Sequence, residues 1–118
     1  MARKTISKEI REKVYQKYDG HCAYCGCEIT MKEMQADHLI PVNFGGVNEY
    51  DNYMPACRQC NFYKGSFLLK FFRLQMKTLH ERIRKPFIYR LGLKFGIVQE
   101  PVPFDGKFYF EKKSEVKA

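Results

Sequence analysis

The sequence predicts an α+β fold in a single domain over residues 1–118. It has a small core of two short strands and a helix, flanking helices, and a C-terminal β-hairpin. Three observations carry this reading. Two Cys-x-x-Cys pairs, Cys22–Cys25 and Cys57–Cys60, bracket an Asp37-His38 dipeptide and tie distant parts of a short chain together. Apolar residues recur about every four positions in two segments, Ile10, Val14 and Tyr18, then Leu68, Phe72 and Met76, as one helix face requires. Asp105-Gly106, set between Val102-Pro-Phe104 and Lys107-Phe-Tyr-Phe110, is a strong two-residue hairpin signal.

The elements come in this order. Ser7 can cap a helix running to about Tyr18, with Glu9 in its first turn and Gly20 as its stop. The first cysteine pair then sits on a tight turn, where Gly26 suits a sulfur-binding knuckle. Met34 to Ile40 reads as a strand ending at Pro41, and Asn43 to Asn48 as a loop whose Gly45-Gly46 pair permits unusual backbone angles. Tyr53-Met54 reads as a second strand ended by Pro55. A helix begins at Cys57 or Arg58 and stops near Gly65. Ser66 caps another, over about 67–84, which Pro86 terminates. Residues 87–96 are compatible with helix or extended chain, and the tail from Lys112 is expected to fray. The core falls at about 33–65, with a basic helical extension and hairpin at about 66–111.

Charge is unevenly placed. Residues 62–94 hold nine Lys or Arg against one Glu, so the whole formal charge of +8 falls there. A polyanion-binding face would look like this, and so would a solvated basic helix. No apolar run approaches the length of a bilayer span, and Met1-Ala2-Arg3-Lys4 leads into a charged segment rather than an apolar secretory core. The expectation is a cytoplasmic protein, where Cys-x-x-Cys pairs favour metal over disulfides.

Cys22, Cys25, Cys57 and Cys60 form the expected ligand set of one closed, tetrahedral Zn²⁺. Such a site has no open position, so its role is structural. Cys27 is left over and is read as structural, since two-residue spacing suits a knuckle better than its one-residue spacing to Cys25. Asp37 beside His38 pairs a carboxylate with an imidazole, which suits a hard metal and a general base. His21 is read as a turn residue or an outer donor, and His80 as a surface residue.

As an ordered set, Asp37-His38-Leu-Ile-Pro41, Gly45-Gly46, Asn52 and Cys57-Arg-Gln-Cys60-Asn61-Phe-Tyr-Lys64 resemble the HNH endonuclease family with a four-cysteine zinc site. The match covers about residues 10–65 and looks most like the small stand-alone proteins of phages and mobile elements. The resemblance implies a ββα-metal fold and metal-dependent cleavage of DNA phosphodiesters. It implies His38 as general base, Asp37 and Asn61 as ligands of a catalytic divalent ion, and Asn52, rather than Asn48, as the brace of the loop that orients His38. An all-oxygen ligand set completed by water favours Mg²⁺ or Mn²⁺. Lys64 and Arg58, on the helix of Asn61, and Lys70, Arg73 and Lys77 beyond it, are the expected phosphate contacts on double-stranded DNA, with little sequence specificity. Phe62 and Tyr63 are expected to pack in the core rather than stack on bases. The alternative is a catalytically silent zinc module that binds nucleic acid or protein, such as a viral regulator or a subunit working with phage packaging proteins.

Overall fold

A computed structural model describes residues 6–115; the Met1-Ala2-Arg3-Lys4 start and the end of the tail lie outside the described residues. The chain divides into two compact units. One runs to Leu69 and resumes at Phe108; the other is Lys70–Lys107.

In the first unit, helix α1 spans Lys8–Gln16 and starts where expected, with Ser7 Oγ accepting from the Ile10 N–H. Val14 is the centre of its buried stripe and packs with Ile29, Met34 and Tyr53, flanked by Ile6 and Ile10. Burying a side chain of this size is worth about 2 kcal/mol. Arg11 reaches across to donate to the Met31 and Met34 carbonyls at 2.6 and 2.8 Å, which fixes α1 against the entry to the first strand.

Strand β1, Gln35–His38, pairs antiparallel with β2, Tyr53–Ala56, placing Asp37 opposite Met54 and His38 opposite Tyr53. The second strand continues through Pro55 instead of stopping there. Proline is tolerated in an edge strand, and its carbonyl accepts from the Ala23 N–H at 2.7 Å, which ties the strand to the first cysteine turn. Between the strands run two single 3₁₀ turns, Val42–Phe44 and Tyr50–Asn52. Gly45 takes φ +89°, and a Cβ on Gly46 would collide with the Ile40 carbonyl, so both glycines are required sterically. Helix α2, Arg58–Lys64, comes after β2 with Cys57 as its N-cap and packs against β1.

The second unit differs from expectation first at a joint in its leading helix. The single helix expected over 67–84 is two, α3 (Leu69–Lys77) and α4 (Leu79–Arg84). Thr78 leaves the helical region at φ −104°, ψ 0°, and its hydroxyl donates back to the Leu74 carbonyl. Residues 87–94, ambiguous by sequence, are helix α5. It is held by the Tyr89 hydroxyl donating to the Gln99 carbonyl and by Val98 packing on Gly92. Phe72 is the buried anchor of α3. His80 is half-buried instead of lying at the surface.

The C-terminal β-hairpin does not form. Among the described residues, 101–108 contain no strand, and Tyr109–Glu115 are helix α6, so the tail is helical through Glu115. Pro101 and Pro103 remove ladder donors from the would-be first strand. Asp105-Gly106 still turns, with the Asp105 carboxylate accepting from the Lys107 N–H at 3.0 Å and Gly106 at φ +93°. Glu111 then reaches back to accept from the Phe108 N–H at 2.8 Å, the reciprocal half of a capping box. The Tyr109 and Phe110 amides donate to the Tyr24 and Ala23 carbonyls, seating α6 on the first cysteine turn.

Candidate functional site

The two cysteine turns meet. The Sγ atoms of Cys22, Cys25, Cys57 and Cys60 all lie within 4.8 Å of one another, with Cys25 and Cys57 3.9 Å apart. Tetrahedral zinc at about 2.3 Å from each sulfur needs sulfurs about 3.8 Å apart, so the set fits. Backbone amides already point at the sulfurs: Tyr24 N–H donates to Cys22 and Cys60 N–H to Cys57, each at 3.4 Å. Four thiols this close cannot all ionise unless a cation balances them. The Cys60 thiol donating to Cys22 pushes Cys22 down to about 4, and the same bond pushes Cys60 up. Cys27 is exposed beside this cluster without being one of the four; partial desolvation, then the hydrogen bond with and charge of Cys25, push its thiol up to about 12.

Asp37 and His38 end β1. Adjacent strand residues point to opposite faces, and these two do different things. Asp37 is buried, 5% exposed, with Oδ2 accepting from the Tyr24 hydroxyl at 2.5 Å and paired with Lys64 Nζ at 3.0 Å. Burial raises its pKa, opposed by the hydrogen bond from Tyr24 and the charge of Lys64. His38 is half-exposed; its Nε2 lies 2.7 Å from Asn48 Oδ1 and its ring packs at a tilt on Tyr53. The chain bends directly after His38, where Leu39 N–H donates to the Asn52 carbonyl.

Asn52 clamps the loop in three places. Its Oδ1 accepts from the Ile40 N–H at 2.9 Å, and its Nδ2 donates to the Ile40 and Val47 carbonyls at 3.0 and 2.9 Å. Asn48, set aside by sequence, is the residue that touches the imidazole. Asn48 thus contacts His38 directly, and Asn52 bonds to Ile40 and Val47 of the loop that carries Asn48. Asn61 sits half-buried on α2, directly after the zinc-set residue Cys60, on the helix that packs on β1.

The expected phosphate contacts separate. Lys64 is 0% exposed: its ammonium is bound to Asp37 and to the His38 carbonyl at 2.9 Å, so it is an internal tie between α2 and β1 and reaches no solvent-borne phosphate. The pull of a buried carboxylate explains the inversion, because neither charge is tolerable alone at that depth. Arg73 is committed to the Gly106 carbonyl at 2.7 Å within the second unit. Arg58, Lys70 and Lys77 are exposed. Phe62 and Tyr63 do not pack in the core; Phe62 is 86% exposed, because α2 turns its Lys64 face inward instead. Among the described residues no helix is long and apolar enough to cross a membrane.

Two antiparallel strands, a short helix packed on them, an Asp-His pair at the strand end and a four-cysteine cluster compatible with zinc define a small ββα module. Residues 22–77 match the family model described as HNH endonuclease. The CRISPR-associated endonuclease Cas9 of Corynebacterium diphtheriae is 36% identical over 52 residues, 43% of this chain and 5% of that protein. The crystal structure of the Type II-C Cas9 enzyme from Actinomyces naeslundii shares the fold, with a TM-score of 0.53 and 21% identity over 81% of this chain and 13% of that one. The chain thus spans a small fraction of the length of these proteins. Over residues 22–77 the chain is similar to the HNH endonuclease family.

Proposed function

We propose that the protein is a metal-dependent endonuclease that hydrolyses phosphodiester bonds of double-stranded DNA with low sequence specificity. The observation that carries this reading is the Asn48-held imidazole of His38 next to the buried carboxylate of Asp37, beside the helix that bears Asn61. When His38 Nε2 donates to Asn48 Oδ1, the lone pair is left on Nδ1, free to take a proton from water. Asn52 keeps the loop, and with it Asn48, in place for that task.

The residues fit a hard divalent ion, Mg²⁺ or Mn²⁺. Tyr24 and Lys64 both engage Asp37 Oδ2, so Oδ1 is available as a monodentate ligand, and Asn61 offers an amide oxygen. When bound, the ion supplies Lewis-acid stabilisation of the charge on phosphorus and on the departing 3′-oxygen. The cysteine cluster, saturated by zinc, stays outside the chemistry. Exposed Arg58, and in the other unit Lys70 and Lys77, supply sequence-independent phosphate contacts, and exposed Phe62 can stack on a base. In this reading the protein works in the cytoplasm of a bacterial or phage-infected cell.

A supercoiled-plasmid assay tests it. The parent converts plasmid to nicked or linear forms with Mg²⁺ or Mn²⁺ and not with EDTA. His38→Ala keeps zinc and DNA binding and loses about 10²-fold or more in rate. Cleavage at the parental rate by His38→Ala would remove His38 as the base. A parent that binds DNA and never cuts would leave the silent zinc module in its place.

A further inference from the structure

We infer that Tyr24 is a positioning residue that makes the zinc turn a direct determinant of divalent-metal affinity at Asp37. This rests on the proposed role of Asp37 as a metal ligand. Tyr24 lies inside the first cysteine pair, between Cys22 and Cys25. Its backbone N–H donates to Cys22 Sγ at 3.4 Å, and its hydroxyl donates to Asp37 Oδ2 at 2.5 Å. One residue thus holds a zinc-set sulfur with its main chain and the carboxylate with its side chain.

The link is stiff. Tyr24 is buried, and its ring meets Phe108 and Phe110 edge-on, at 5.6 and 6.1 Å between centroids and 83° and 89° between planes. Neither ring contact permits the phenol to swing without repacking the other. Lys64 Nζ fastens the same carboxylate oxygen from α2. The carboxylate is therefore held by one donor from the zinc turn and one from the helix that the second cysteine pair starts. Both donors reach it from segments whose positions the four-cysteine cluster fixes. Outer hydrogen bonds of this kind orient a ligating carboxylate, and their loss costs about 10–100-fold in metal affinity.

The experiment titrates Mn²⁺ alone into zinc-loaded protein without DNA, monitoring free Mn²⁺ by electron paramagnetic resonance. Tyr24→Phe keeps the ring and its packing and removes only the hydroxyl. Expected are full zinc content and an Mn²⁺ dissociation constant raised about tenfold or more, with cleavage recovered at high Mn²⁺. Phe108→Leu disturbs the same packing but leaves the hydroxyl in place, so it is expected to raise the Mn²⁺ dissociation constant by less than Tyr24→Phe does. Parental Mn²⁺ affinity in zinc-loaded Tyr24→Phe, or an equal or larger loss in Phe108→Leu, overturns the inference. Asp37→Asn separates it from the reading beneath: parental Mn²⁺ binding there sinks the ligand assignment itself, whereas lost binding there with parental binding in Tyr24→Phe sinks only the positioning role. Should Tyr24→Phe fail to take up zinc, 3-fluorotyrosine at position 24 retains the hydroxyl. Its ¹⁹F resonance is expected to move on adding Mg²⁺, and an unmoved resonance overturns the inference equally.

Discussion

Replacing Lys64 by Met tests the internal tie on which the site is built. Methionine is close to the lysine stem in volume and flexibility, so packing is largely kept and the charge is lost. Two bonds go with it, to Asp37 at 3.0 Å and to the His38 carbonyl at 2.9 Å, and the carboxylate stays behind at 5% exposure. Removing one partner of a buried pair costs about 3–5 kcal/mol. At 4–8 °C per kcal/mol for a unit of this size, the melting temperature falls by about 12–40 °C. The sign of the pH dependence comes from Asp37. Burial raises its folded pKa above the ordinary value of 3.8 even with Lys64 pulling it down. The folded state therefore holds the Asp37 proton more tightly than the unfolded chain, and stability contributed by the protonated form is lost as pH rises through the folded value. Without Lys64 that value rises further, and the cost of an ionised Asp37 grows toward high pH. Urea melts of zinc-loaded parent and Lys64→Met at pH 8 and pH 5.5 measure the difference. The deficit should be larger at pH 8, and Asp37→Asn added to Lys64→Met should restore part of it. A loss under about 1 kcal/mol, or the same deficit at both pH values, refutes the reasoning.

Cys57→Ser should bind less than one zinc per chain and unfold at markedly lower temperature, since metal binding is coupled to folding and Cys57 also caps α2; full zinc by metal analysis and an unchanged melt would contradict the cluster. Asn52→Ala removes three hydrogen bonds from a buried side chain, at about 1 kcal/mol each. The Ile40 amide should then exchange with solvent at least about tenfold faster, and unaltered protection of that amide would show that Asn52 does not hold the loop.

Much of the site was readable because it is built from local rules. The Ser7 cap and the cysteine turns depend on neighbours close in sequence, whereas β1 ends at His38, short of the expected Ile40, and Asn52 is marked by the family resemblance. The unreadable part depends on burial. Lys64 looked like a surface cation because its helix position shares a face with Asn61, and only the packed strand reveals the carboxylate that draws it inside. Phe62 and Tyr63 were misplaced for the same reason, since the inward face of α2 belongs to Lys64. The family resemblance points to Asn52 and not to Asn48, whose contact to His38 needs the folded loop. The terminal hairpin failed because Asp-Gly specifies a turn without specifying the element after it. The capping pair Phe108–Glu111 and the two prolines decided for a helix.

The docking of Tyr109 and Phe110 on Ala23 and Tyr24 bears on how this ββα core could be excised for engineering. The segment matched to the family ends at residue 77, yet one wall of the first cysteine turn comes from a stretch about eighty-five residues farther along the chain than the turn itself, across a closure costing roughly 4 kcal/mol of chain entropy. A fragment cut at the limits of family similarity would keep every ligand and lose both α1 and Phe108. A viable minimal piece must splice residues 6–69 to 108–115, treating the span between them as an exchangeable cassette.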